Sequence, residues 1–276
     1  MRRLAAGVVD NRPRERLPLA DDGQYAMMAC VDHELGYAGV KTYAATPAKT
    51  SFVVVLFAAD GTLAAVIEAD KLGQLRTGAA SAVAARHLAR DGATSLGVIG
   101  CGWQAESQVT CIRHVLPDLE RVVAYCRDPG RLQAFCAAND CEPAESQREA
   151  GEQDVVVTVT TSKDPVLRGE WLREGALVCA VGANDRSRRE LDNVVLERAA
   201  FVCCDSREQA KLESGDLIEP VESGALDWLE VYELQQVVAG ELEGRSSPDD
   251  VVVFKSNGLA AWDVAAAARL VELATT

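Results

Sequence analysis

Histidine is nearly absent from this chain, with three among 276 residues, and aromatic side chains make up only 5%. So thin a supply of imidazole argues against a histidine-built metal centre. The nine cysteines include no C-x-x-C pair, and Cys101, Cys179, Cys203 and Cys204 lie inside apolar runs. That pattern reads as reduced, buried small hydrophobes, neither a disulfide framework nor a zinc site, and no metal is expected. No stretch approaches the ~20 apolar residues of a membrane span, and residues 1–10 lack the apolar core of a signal peptide. Positive charge is also scarce: 28 Lys and Arg stand against 42 Asp and Glu, a formal net charge of -14. An acidic surface repels phosphate backbones and anionic lipid, which speaks against nucleic-acid and membrane partners. A cytoplasmic protein is expected.

What remains is an ordinary globular composition, 48% hydrophobic and 25% charged, long enough for two modest cores. Early on, Phe52–Phe57 and Leu63–Glu68 are apolar runs joined through Asp60-Gly61, a hairpin turn signal. An alanine-rich stretch with helical spacing follows Arg76-Thr77-Gly78 and stops at Asp91-Gly92. From there short apolar runs alternate with helical or turn-rich stretches. The runs are Leu96–Ile99, Arg121–Cys126, Asp154–Val159, Ala176–Val181 and Phe201–Cys204. Continuous apolar strands between helices indicate a parallel sheet covered on both faces. The stretch from Gly244 to Asp250 reads as a linker, followed by a strand at Val251–Phe254 and an apolar helix at Gly258–Leu273. The expected fold is therefore α/β: a doubly wound Rossmann domain over residues 93–250, inserted in a second α+β lobe made of 1–92 and 251–276.

The sharpest local motif runs from Gly97 to Ala105, a G-x-G-x-x-A fingerprint between a strand and a helix. Gly100 permits the tight turn, Gly102 lets a pyrophosphate approach the backbone, and Ala105 keeps helix and strand close. The anion would rest on the amides of the helix start, beside Trp103 and Gln104. Thr160 and Val181, at the ends of later strands, complete the expected cofactor contacts. At the tip of the second strand, where an NAD enzyme normally carries an acid for the ribose, this chain has Cys126 followed by Arg127. A cation there suits a 2′-phosphate, so NADP(H) is favoured, with NAD(H) left open. Asp128, just before Pro129, reads better as a helix cap than as a ribose partner.

The run from Leu75 to Ala84, the glycine loop, Ala180–Asn184, Arg189–Asp192 and Val253–Gly258 together resemble the ornithine cyclodeaminase/mu-crystallin family. The signatures are in the family's order and cover nearly the whole chain from Arg14. Relatives carry a further helix and strand ahead of the position matching Leu4, so this chain starts short. The resemblance implies a Rossmann domain inserted in a lobe that forms the dimer interface, hence a homodimer, and that carries much of the substrate site. It also implies roles. Arg14 (or Arg16) and Arg76 would hold the substrate carboxylate, and Lys41 would reach the reacting carbon. Two guanidinium groups suit a carboxylate, and like charges beside Lys41 would lower its pKa toward that of a proton donor.

One departure from the family is informative. Asn184 stands where the cyclodeaminases carry an aspartate, and an amide does not accept a proton at neutral pH. Asp185 would point differently. True ornithine cyclodeamination is disfavoured, and reduction of small cyclic α-imino acids (ketimines) is expected, with Asn184 lining the substrate. An ornithine cyclodeaminase, an alanine or other amino-acid dehydrogenase, and an NADPH-occupied small-ligand binding protein remain the competing readings. Plainer roles are expected elsewhere. Glu190, three residues after Ser187, has capping-box spacing, and His33, His87 and His114 are structural. Lys255 and Ser256 either touch the cofactor or pack the lobes, and Thr50 or Ser51 could line the pocket.

Overall fold

The computed structural model of the chain describes residues 1–275. They form two compact units: Met1–Arg76 with the segment from Gly258 onward, and Thr77–Asn257.

The first unit is an antiparallel sheet under a helix. After a single helical turn, α1 (Arg2–Ala5), come β1 (Val9–Asn11), β2 (Glu15–Pro18), β3 (Gln24–Asp32), β4 (Tyr37–Ala45), β5 (Thr50–Ala58) and β6 (Leu63–Glu68). The long strands pair in sequence order, β3-β4-β5-β6, with β1 and β2 both on β3. The Asp60-Gly61 turn forms as expected: Gly61 has φ 85°, and the Asp60 carboxylate accepts from the Thr62 amide at 2.9 Å. On one face Met28, Cys30, Val54 and Leu56 bury against Ala260, Val264, Ala267 and Ala268 of the C-terminal helix, Ala260–Thr275. Close approach depends on Gly39, where a Cβ would stand 2.9 Å from a Val264 methyl. The helix start is tied down by Asn11, whose side chain accepts from the Ala261 amide at 3.0 Å.

The opposite face of that sheet is apolar as well. Val40 pairs with Ala29 on one side and Val55 on the other, and Val55 pairs in turn with Val66. Val66 is 63% exposed, and Val31 and Phe57 are exposed on the same side.

Helix α2 (Asp70–Leu88) begins well before the alanine-rich stretch that announced it, so Arg76 lies mid-helix. The division between the two units falls inside it.

The second unit is a wholly parallel sheet of eight strands. They are β7 (Ser95–Ile99), β8 (Arg121–Tyr125), β9 (Glu142–Pro143), β10 (Val155–Thr158), β11 (Leu177–Ala180), β12 (Ala199–Cys204), β13 (Val231–Glu233) and β14 (Val251–Lys255). Their spatial order is β13-β12-β14-β11-β10-β7-β8-β9. Central strands β7, β10, β11 and β14 are buried at every residue, which is why they are built around apolar runs. Strand β14 overturns one expectation. It belongs between β11 and β12 in this sheet, not to the first lobe, and the units divide at 76/77 and 257/258 rather than at 92/93 and 250/251. The run VVVF specifies a strand covered on both faces, and only this sheet offers two covered faces.

From β7 the chain runs outward to β8 and β9, then returns to β10 on the other side of β7. Such a reversal opens a crevice at the carboxyl ends of the two strands. No helix among the described residues is long and apolar enough to cross a membrane.

Candidate active site

The crevice in the second unit is a cleft of 540 Å³ between the ends of β7, β8 and β10. Gly100 forms its floor with φ 117°, and a Cβ there would stand 2.4 Å from the Val159 carbonyl oxygen. Only glycine serves, on both counts. At Gly102 a Cβ would meet nothing within 4 Å, so the backbone faces open space. Gly102 is also the N-cap of helix α3 (Trp103–Val115), with no side chain capping it. A 13-residue helix aiming its first amides past two glycines is suited to a pyrophosphate. Ala105 is fully buried where helix meets strand, whereas Trp103 is 44% exposed. These residues fit the dinucleotide that the sequence implied.

Arg127 and Arg131, both exposed, also line the cleft. Arg131 was not anticipated. It lies in the first turn of helix α4 (Pro129–Asn139), capped by the Asp128 carboxylate, which accepts from the Arg131 amide at 3.0 Å. Asp128 thus has the capping role that its place before Pro129 suggested. Thr160 lines the cleft near β10, while Val181 is half-buried beyond β11, its amide donating to the Thr158 carbonyl.

Glu190 does not cap a helix. Its fully buried carboxylate accepts from the Thr160 amide and hydroxyl on one oxygen, at 2.6 and 2.8 Å. The other oxygen takes Thr158 Oγ1, the Gly182 amide and the Ala183 amide. Burial and the neighbouring Asp216 carboxylate push its pKa up, opposed by the Lys255 charge and the Thr160 donors. Lys255, also buried, pairs with Asp216 at 3.1 Å and donates to the carbonyls of Ala180 and Ala183. Ser256 donates to Asp205. Lys255 and Ser256 therefore brace the strand ends. Asn184 sits half-buried in the loop that Glu190 and Lys255 hold.

Lys41 and Arg76 meet in the first unit. Lys41 points to the helix side of its sheet, opposite Met28 and Val54, and is 3% exposed. Its ammonium donates to Asp263 Oδ1 at 3.0 Å and lies 5.2 Å from the centre of the Phe52 ring. Arg76 Nε donates to the same oxygen at 2.9 Å. Burial, then the Arg76 charge, lower the Lys41 pKa to about 8, with Asp263 opposing and Arg14 adding to the drop. Like-charge lowering was expected; burial outweighs it. Of the two candidates Arg14 and Arg16, it is Arg14, between β1 and β2, whose charge is felt at Lys41. Lys41 and Arg76 share the single oxygen Oδ1 of Asp263, and a small carboxylate would give them a second acceptor.

Thr50 and Ser51 are exposed at the start of β5. His33 pairs with Asp10 at 2.8 Å on the surface, and His87 and His114 lie in helices α2 and α3.

The family model for the ornithine cyclodeaminase/mu-crystallin family matches residues 1–275. The chain belongs to that family. Among its relatives, the Δ1-pyrroline-2-carboxylate reductase of Bacillus cereus is 34% identical over 278 residues, covering 95% of this chain and 85% of the relative. The alanine dehydrogenase of Archaeoglobus fulgidus is 33% identical over 287 residues, with 96% and 85% covered. The Thermococcus litoralis Δ1-pyrroline-2-carboxylate reductase, solved in complex with NADH and L-proline, superposes with a TM-score of 0.92 at 30% identity, covering 99% of this chain and 90% of that one.

Proposed function

We propose that this family member is an NAD(P)H-dependent reductase of small cyclic α-imino acids such as Δ1-pyrroline- and Δ1-piperideine-2-carboxylate. The observation that carries the reading is the buried ammonium of Lys41 beside the guanidinium of Arg76. A carboxylate-bearing imine needs both a cationic clamp and a nearby proton donor, and this pair supplies them. The residues lining the second unit's cleft would hold the nicotinamide dinucleotide, whose chemistry when bound would be hydride transfer to an imine carbon. Arg76 and Arg14 take the carboxylate by charge-assisted hydrogen bonds and fix the ring. Lys41, mostly protonated at pH 7 with a pKa of about 8, gives its proton to the imine nitrogen. Positioning and charge complementarity account for most of the acceleration.

The deciding assay is NADPH oxidation by the purified protein with Δ1-piperideine-2-carboxylate. Arg76→Ala is expected to raise KM by roughly 10- to 100-fold, the range for one lost hydrogen bond to a charged group. Turnover that is indifferent to this substitution would remove the clamp from the mechanism. Reductive amination is the second reading, favoured by the alanine dehydrogenase among the relatives. It would show as NADH- or NADPH-dependent conversion of pyruvate and ammonia. Asn184 keeps ornithine cyclodeamination behind both.

NADPH is the preferred cofactor in this reading, because Arg127 and Arg131 line the cleft as cations suited to a 2′-phosphate and Asp128 is engaged as a cap. Arg127→Ala with Arg131→Ala is expected to weaken NADPH by about tenfold or more and leave NADH nearly unchanged, measured by fluorescence titration. Equal losses for both cofactors would place the arginines away from the 2′-phosphate. The uncovered apolar face around Val40, Val55 and Val66 suits a second copy of the chain, in keeping with the expected homodimer.

A further inference from the structure

Asp263 was announced by no sequence signal, and among the described residues it is the acid that pairs with Lys41. It sits in the first turn of the C-terminal helix and is fully buried. Its Oδ1 receives the Lys41 ammonium from β4 and the Arg76 Nε from α2, two groups 222 and 187 residues away in sequence. Two glycines are fitted to the same arrangement. A Cβ at Gly73 would stand 3.2 Å from Lys41 Nζ. At Gly258, with φ +85°, it would stand 2.8 Å from Arg76 Nη1. Backbone therefore confines both cations, while one carboxylate oxygen ties them together.

We propose that Asp263 is the positioning residue of the substrate site, fixing the Lys41 ammonium and the Arg76 guanidinium relative to each other before the substrate arrives. This rests on the imine-reductase reading for its chemistry, not for its geometry. A guanidinium held by its Nε edge has its plane set, which orients the remaining donors. A lysine has four rotatable bonds and gains most from such an anchor. Asp263 also sets the charge at Lys41. The largest charged influences on that ammonium are Arg76, Asp263 and Arg14; Met28, Phe52 and Gly73 around it carry no charge. Of the three, only Asp263 favours the protonated form.

The test is Asp263→Asn in the full chain, with Asp263→Ser alongside should the larger amide prevent folding. Two quantities are read: the pH dependence of kcat/KM for Δ1-piperideine-2-carboxylate with NADPH, and the pH dependence of Lys41 acetylation in the absence of substrate, followed by peptide mass spectrometry. The expected result is a midpoint for Lys41 lower by about one pH unit or more, in both profiles, with kcat at pH 7 reduced at least tenfold. An unchanged Lys41 midpoint, accompanied only by a lower melting temperature, would make Asp263 a structural anchor and overturn the proposal. If the acetylation midpoint shifts but the unaltered protein reduces no imino acid, Asp263 keeps its role and the imine-reductase reading falls. If imines are reduced and the midpoint does not move, the reverse holds.

Discussion

Lys41→Met should lower kcat for imine reduction by 10²- to 10⁴-fold, the usual worth of a positioned general acid. Methionine has nearly the volume of the lysine stem, so the packing against Met28 and Val54 persists. Asp263 keeps Arg76 as its partner, and no buried carboxylate is left uncompensated. Cofactor titration by NADPH fluorescence provides the control, since Lys41 belongs to the first unit and the dinucleotide cleft to the second. The unaltered protein adds a second signature. Because Lys41 gives up its proton in this direction, kcat/KM should hold below pH 8 and fall as pH rises through about 8, where the ammonium is lost. A variant retaining a tenth of the activity, or a flat alkaline profile, would assign the proton to another group.

How much of this was legible before the structure depends on the range of the signal. Strands such as Val155–Thr158 and Leu177–Ala180 announced themselves because a strand covered on both faces needs only apolar residues, a purely local demand. The glycine loop was equally local: tight turn, open backbone and helix start are neighbours in sequence. Strands β3 and β4 were not read as strands. Their alternation rests on alanine, methionine and glycine, and β4 buries a lysine. The start of α2 was missed because Gly73 looks like a break, yet its missing side chain leaves room for Lys41 Nζ.

Partners distant in sequence were the least legible. Asp263 lies in an alanine-rich helix, where one acid normally means a solvent-facing turn, and its partners are 222 and 187 residues away. For β14 the apolar run gave the element type correctly but carried no address, since which sheet it joins depends on pairing with β11 and β12. The resemblance to the family supplied Lys41 and Arg76 as a pair. Spacing alone gives Lys41 no role, since nothing local marks the strand that buries it.

Glu190→Gln is expected to affect the second unit's stability and its cleft together. Five donors converge on the two carboxylate oxygens, from Thr158, Thr160, Gly182 and Ala183. An amide offers one oxygen and places an NH2 group against the donors of the other side. At least two buried N–H or O–H groups then lose their acceptor, each at about 1–3 kcal/mol. The two loops pack closely here, since a Cβ at Gly182 would stand 2.3 Å from the Thr160 backbone, and Glu190 itself is fully buried. The loops bearing Thr160 and Asn184 are tied to this carboxylate, so their loosening should reach the cleft. A loss of about 2–5 kcal/mol in urea unfolding, with NADPH binding weakened at temperatures where the variant is still folded, is the expected pair of results. Lower stability with unchanged NADPH affinity would confine Glu190 to the core. Unchanged stability would mean that the carboxylate, whose pKa burial and Asp216 both raise, is already protonated in the native protein and well replaced by an amide.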